Sequence, residues 1–370
     1  MLLPGSKEND TWSLGASTRL DSYRLALTPA KEGVNPAAFR AALTEGGPSF
    51  VDLLLTQNLG AWWHHCFQAN GLLESLPRGV ADALHQAHMA AAARYLAQRT
   101  ALIHIDQLFE AAGISYAVMK GAHVRECAYP DPSLRLTGDI DVLVAAPDRR
   151  CAAHALLDAG YLVNADLATI SHEACFTSSP VEIDLHWDIM RPGRTRAEMT
   201  AGLLARRRRV NGFWGLSDAD ALFLMLTHPA FAKYVCSPNM GLPRVADFLL
   251  WVQSRTIDWP AVMRLLEVAG LRTAAWTMLN WFRMLAAPAA GAIIDGWLNS
   301  LRPGGSRAHY LRFWLDHDLP SRWLNRPLLI QLGLTLFMHD RPSDTLHALR
   351  GWLRSRRNRG RDLRLLLGND

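Results

Sequence analysis

Two short runs in the middle of the chain alternate acidic and apolar residues with a period of two: DIDVLV (Asp139 to Val144) and VEIDLHW (Val181 to Trp187). A period of two belongs to a β-strand, in which successive side chains leave opposite faces. Asp139 and Asp141 therefore project from one face, roughly 7 Å apart along the strand, while Ile140, Val142 and Val144 point to a core. In the second run Glu182, Asp184 and His186 share one face, and Val181, Ile183, Leu185 and Trp187 share the other. If the two strands pair, three or four carboxylates converge. Like charges at that spacing resist ionisation unless a positive charge sits among them. A hard divalent cation with oxygen ligands, Mg²⁺ above all, is the simplest partner.

Upstream lies YAVMKG (Tyr116 to Gly121), an apolar strand that ends in Lys120-Gly121. Glycine permits close approach of the backbone to a phosphate, and N–H groups at a helix start favour anions. Lys120 offers a point charge to a triphosphate; the plainer reading is a strand-to-helix turn with a surface lysine. The loop AYPDPSLRLTG, stiffened by Pro130 and Pro132, carries Arg135, which suits either a phosphate fork or a salt bridge to a local carboxylate. Gly138 would free the backbone just before the acidic pair.

The string MKG…YPDPSLRLTGDIDVLV…GY…EIDLHWDI resembles the DNA polymerase β-like nucleotidyltransferase superfamily. It is most similar to a branch of uncharacterised bacterial nucleotidyltransferase-like proteins, some of whose genes accompany peptide natural-product or surface-polysaccharide genes. The resemblance is close over 114–189 and fades toward Arg255. The loop from Gly121 to Asp139 is longer than the superfamily's usual one. The resemblance implies a Mg²⁺-dependent enzyme that joins a nucleoside monophosphate from an NTP such as ATP to a hydroxyl. Asp139, Asp141 and Asp184 would hold one or two Mg²⁺ ions and act as the catalytic acids. Lys120, Gly121, Arg135 and Gly138 would meet the nucleotide phosphates, and Glu182 and His186 would give support. It also places a His and an Asp of a following helical domain near the nucleotide cleft, here His228 and Asp247. A lone histidine on an apolar helix is otherwise a satisfied core residue. The alternatives are a catalytically silent nucleotide-binding protein or an adaptor of the same fold. A phosphohydrolase is disfavoured, because the acidic runs carry no HD or HxH constellation.

At 370 residues, with 49% hydrophobic and 20% charged residues, the chain exceeds one minimal core. The expected fold is α+β: a small mixed sheet with helices on one side, embedded in a mostly helical chain. The expected divisions are a loosely ordered arm (1–33), a helical region (34–112), the catalytic core (113–190), a helical domain (191–300) and a helical C-terminal region with a basic tail (301–370).

Helices are expected over 35–57, 81–112 (stopped by Gly113), 147–159, 218–233 and 245–253, with further buried helix at 259–286 and 327–338. Short strands are expected at 161–164 and 174–177. In WWHHC (Trp62 to Cys66) the adjacent histidines point about 100° apart on a helix and make poor joint metal ligands. The apolar window 273–297 contains Arg283 and Asp295 and reads as a buried helical pair, with no integral membrane segment.

Five scattered cysteines without a CxxC pair give neither a zinc site nor a disulfide framework, and a reducing cytoplasm fits them. The N-terminus shows no signal peptide. The net charge of +5 comes largely from Arg206 to Arg209 and from the arginines between 350 and 364. Such runs usually form a solvated face; the tail also suits an anionic partner. Nothing resembles an RNA-binding module, so the expected acceptor is a small molecule or peptide and no nucleic acid.

Overall fold

The alternating runs fold as strands because their apolar, largely β-branched positions pack on one face while the acids project from the other. The computed structural model describes residues 16–32, 36–164, 172–231, 241–323 and 325–367. Helices α1 (Ala16–Ala26), α2 (Thr28–Glu32), α3 (Pro36–Thr56), α4 (Gly60–Ala69) and α5 (Arg78–Ala111) precede the first strand. The core region then runs β1 (Tyr116–Met119), α6 (Lys120–Ala128), β2 (Ile140–Val144), α7 (Arg149–Asp158), β3 (Leu162–Asn164), β4 (Glu173–Ser178) and β5 (Val181–His186). It continues through α8 (Thr200–Ala205), β6 (Arg208–Val210) and β7 (Phe213–Gly215). The remainder is helical: α9 (Asp218–Phe231), α10 (Leu242–Ser254), α11 (Trp259–Ala269), α12 (Arg272–Leu285), α13 (Pro288–Leu301) and α14 (Gly305–Asp316). It ends with α15 (Leu319–Arg322), α16 (Pro327–Gly333) and α17 (Pro342–Leu367). The fold is α+β, 68% helical around one mixed sheet.

That sheet has the order β3-β4-β5-β2-β1-β7-β6. β2 lies parallel to β5 with Asp141 beside Asp184 and Ile140 beside Ile183, and antiparallel to β1. In-register neighbours share a face, so the two acidic runs face one way, as their alternation requires. The apolar face (Ile140, Val142, Val144, Ile183, Leu185) packs on Leu102, Ile105 and Phe109 of α5 and on Ala152, Ala153 and Leu156 of α7. The opposite face is covered too: Ala117, Met119 and Leu143 join a larger core with Val124 of α6, Leu203 and Leu204 of α8, and α9 and α10. The expected one-sided arrangement is thus corrected to helices on both faces. The reason is that β1 is buried at all four positions and needs apolar cover on each side.

Three further expectations change. The stretch from Arg196 onward, read as mostly helix, contains the β6–β7 hairpin; its turn is Asn211-Gly212, both with positive φ (45° and 93°), the dipeptide that two-residue hairpins favour. Residues 16–26 and 28–32, expected as a loose arm, are helical; Tyr23, Leu27 and Ala30 are buried, and Trp63 Nε1 donates to the Ala26 carbonyl at 2.9 Å. The helix at 327–338, expected to be buried, shows three leucines to solvent, and only Ile330 of α16 is buried.

The long helix and its glycine stop are as expected: α5 ends at Ala111, and Gly113 follows with φ +66°. The window 273–297 is the pair α12 and α13, and no helix among the described residues is long and apolar enough to cross a membrane. Four cysteines (Cys66, Cys127, Cys151, Cys175) are free thiols, while Cys236 and Lys233 lie outside the described residues.

Candidate active site

The acids sit where three strands meet the start of α6. Asp141 is buried on β2 and accepts from Lys120 Nζ at 2.5 Å, and its Oδ1 lies 2.9 Å from His186 Nε2. His186 is fully buried; its Nδ1 faces Glu173 Oε2 at 3.2 Å, so the ring is wedged between two carboxylates. Glu173 also lies 3.5 Å from His172 Nε2. Asp184 is half-buried beside Asp141, and ligand atoms of Asp141, Asp184 and His186 all lie within 4.8 Å of one another. Asp139, one residue before β2, is half-buried and adds its charge to the field at Asp184, Lys120 and Arg135. Glu182 is exposed at the outer end, where it accepts from Cys175 Sγ at 3.3 Å.

Electrostatics follow from this crowding. Burial alone would protonate Asp141, but Lys120 and the His186 contact hold its carboxyl well below the usual carboxylate range. The Asp184 carboxyl is pushed up to about 7, first by burial and then by Asp141 and Asp139. Burial opposes the Lys120 ammonium, yet Asp141, Glu173 and Asp139 outweigh it and raise its pKa. Lys120 also has a left-handed φ of 54°, costly for a residue with a Cβ and held by this ion pair. At His172 and His228 burial dominates, and both are kept neutral far below the ordinary histidine pKa.

The remaining expected residues divide into those the structure brings to the acids and those it does not. His228, in the last turn of α9, is brought there: its field includes Lys120, Asp141 and His186. Arg135 is closed on Asp247, with Nε and Nη2 donating to the two carboxylate oxygens at 2.8 Å each, and Tyr129 Oη donating to Oδ1 at 2.8 Å. Arg135 thus forms a salt bridge, to an acid far away in the chain rather than to a local carboxylate; Asp139 acts on Arg135, and Arg244 feels Arg135, Asp247, Asp141 and Asp139 together. Gly121 is the second residue of α6; a Cβ there would meet Thr137 Cγ2 at 2.8 Å, so the glycine lets the helix start lie against the loop. Gly138 has open space at its Cα and an ordinary φ, so no freedom peculiar to glycine is used there; its carbonyl accepts from Arg94. The loop is pinned by buried Arg125, which donates to Gln98 Oε1 at 2.7 Å and Thr137 Oγ1 at 3.1 Å.

Three residues at the site have no counterpart in the motif reading: His172, Glu173 and Arg244. Glu173, Cys175 and Thr177 alternate with Ala174 and Phe176, the same period-two signal, but the strand begins one residue before the expected 174. Arg244 is one helical turn before Asp247 on α10, and its field includes Arg135, Asp141 and Asp139. That i, i+3 relation is visible in RVAD, though its meaning depends on where α10 packs. A cavity of about 810 Å³ lies elsewhere, among α12, α13 and α14, lined by Trp276, Asn280, Arg302, Arg312 and His317; none of the expected site residues lines it.

A family described as uncharacterised nucleotidyltransferases matches residues 48–286. The chain belongs to this family. The match spans the sheet, the acids, α9 and α10, so the chain is a nucleotidyltransferase enzyme, a class that takes an NTP as substrate. No curated protein matches the sequence. The nucleotidyltransferase match ends just after α12, leaving α13 to α17 outside it.

Proposed function

We propose that this nucleotidyltransferase transfers a nucleoside monophosphate from an NTP to a hydroxyl of a small molecule or peptide, with Asp139, Asp141 and Asp184 as its metal-holding acids. The observation that carries the reading is the convergence of Asp141, Asp184 and His186 beside Asp139, with a lysine bound to the central carboxylate. The donor set fits a hard divalent ion: carboxylate oxygens predominate, and crowding at Asp184 is the condition a cation relieves. Asp139, Asp141 and Asp184 would hold Mg²⁺, which would supply charge neutralisation for the triphosphate.

The chain's own residues do the rest. Lys120 and Arg244, whose fields both include Asp141 and Asp139, grip the phosphates of the donor. Arg135 is fixed by Asp247 and shapes the loop that leads to Asp139. The acceptor oxygen attacks the α-phosphorus and the bond from that phosphorus to the bridging oxygen breaks. Pyrophosphate leaves, and the hydroxyl proton passes to Asp184. His186 and Glu173 hold Asp141 in place from behind. A role in natural-product or surface-polysaccharide assembly suits such an acceptor.

The test is a thermal-shift screen of ATP, GTP, CTP and UTP, each with and without Mg²⁺, on wild type and on the Asp139→Asn/Asp141→Asn double variant, followed by pyrophosphate release with candidate acceptors. A ligand at 100 times its dissociation constant should stabilise the fold by about 2.7 kcal/mol. A Mg²⁺-dependent shift with one nucleotide, lost in the double variant, is the expected result. Equal shifts in wild type and double variant would overturn the assignment of the acids.

A further inference from the structure

The C-terminal region, outside the family match, carries an unusual surface. In α16 Ile330 is fully buried, while Leu328, Leu329 and Leu332 are 62%, 42% and 55% exposed. At about 100° per residue, Leu328, Leu332 and Leu329 fall on one arc of roughly 100°, and Ile330 lies opposite. Phe337, just after the helix, is 45% exposed. A single exposed leucine needs no account; four large apolar side chains over ten residues do.

The charge of this part of the chain is one-sided. Residues 322–367 hold ten arginines and no lysine against Asp340, Asp344 and Asp362, a local net of +7 in a chain of net +5. Two of those acids are already engaged: Asp344 pairs with Arg196 at 2.8 Å, and Asp340 accepts the backbone N–H groups of Arg272 and Thr273. Arg322, Arg326, Arg341, Arg350 and Arg354 are all exposed, and among the described residues no carboxylate pairs with them. The other arginine cluster differs. Arg206 binds Asp220, Arg208 binds Asp218, Arg209 binds Asp106 and Glu110, and Arg207 lies over the Trp214 ring. The run at 206–209 thus builds the fold, and Arg322, Arg326, Arg341, Arg350 and Arg354 remain available to a ligand.

We infer that the α16–α17 surface docks on an anionic lipid bilayer, with Leu328, Leu329, Leu332 and Phe337 entering the headgroup–acyl boundary and the flanking arginines meeting lipid phosphates. The pairing of an exposed apolar stripe with unopposed basic residues is the signature of a peripheral interfacial segment. Guanidinium forks match phosphate oxygens, and each such cation adds attraction at an anionic leaflet. Leu346 and Leu353 of α17, both more than half exposed, lie two turns apart with Arg350 between them, so the mixed apolar and basic character continues. No described helix spans a membrane, so the contact is peripheral. The inference is independent of the nucleotidyl-transfer reading.

The experiment is co-sedimentation of the full chain with vesicles of phosphatidylglycerol and phosphatidylcholine (1:1) and with pure phosphatidylcholine. Wild type, Leu328→Glu/Leu332→Glu and Arg350→Glu/Arg354→Glu are compared, with urea midpoints confirming that the exposed substitutions leave the fold intact. Leu328→Ala/Leu332→Ala is carried as a milder variant. The expected result is binding to the anionic vesicles alone, reduced at least tenfold by either charge-bearing variant and less by the alanine pair. No binding of wild type to anionic vesicles would overturn the inference. So would binding that falls with salt yet ignores the leucine variants, since that is adsorption without insertion. Self-association abolished by the leucine variants, with no vesicle binding, would assign the face to a second copy of the chain instead.

Discussion

Two acids that share a site should respond to neutralisation with opposite signs. Asp141 is 4% exposed, bound by Lys120 at 2.5 Å and in contact with His186 at 2.9 Å. Breaking a buried ion pair by removing one partner costs about 3–5 kcal/mol. Asparagine keeps an acceptor for Lys120, and the lysine side chain is 21% exposed, so about 2–3 kcal/mol is expected for Asp141→Asn. Asp184 is the reverse case. A carboxylate whose pKa rises from 3.8 to about 7 carries up to ~4 kcal/mol of unfavourable interaction when ionised. Solvent screening at this half-buried group reduces that to about 1–2 kcal/mol. Asp184→Asn removes the repulsion and should stabilise the metal-free protein by that amount, while abolishing transfer. Urea denaturation at pH 8 in EDTA reads both effects, from midpoint shifts at constant slope. If both variants move stability the same way by more than 1 kcal/mol, the assignment of Asp141 as the paired acid and Asp184 as the crowded one is wrong.

Asp247→Ala strands the Arg135 guanidinium and the Tyr129 hydroxyl in a buried setting and should cost about 3–5 kcal/mol. Adding Arg135→Met should recover at least half of it, and a double-mutant cycle without coupling would refute the pairing. At the N-terminal helices, His64 Nδ1 lies 2.8 Å from His88 Nδ1. Burial, then His88, His85 and His65, lower the His64 pKa from 6.5 to about 4. The unfolded chain therefore binds more protons between these values, and stability falls as pH drops from 6.5 toward 4, by about 1–2 kcal/mol once solvent screening is included. His64→Gln should flatten that slope; an unchanged pH profile would remove His64 as its source.

The sequence by itself determined the parts of this protein that depend on local periodicity. Alternation over Asp139–Val144 and Val181–His186 fixed two strands, the faces of their acids and the burial of Ile140, Val142 and Ile183, because a period of two is a property of neighbours in the chain. The glycine stop of α5 and the α12–α13 pair were legible for the same reason. The β6–β7 hairpin was also written locally, in Asn211-Gly212, but four adjacent arginines read as a solvated run, whereas Arg208 and Arg209 are strand residues and Arg206, Arg208 and Arg209 pair with Asp220, Asp218, Asp106 and Glu110.

What only the tertiary structure decided are the relations between residues far apart in the chain. Arg135 and Asp247 are 112 positions apart, and nothing in either neighbourhood distinguishes a phosphate fork from a structural salt bridge. His186 faces Asp141 and Glu173 only because β5 lies between β2 and β4. Arg244 reaches the acids only because α10 packs across α6. The exposure of α16 follows from which of its sides the core had room to cover. A local pattern states which face of an element is apolar; the packing of all the elements together states what that face, and the charges on the other one, will meet.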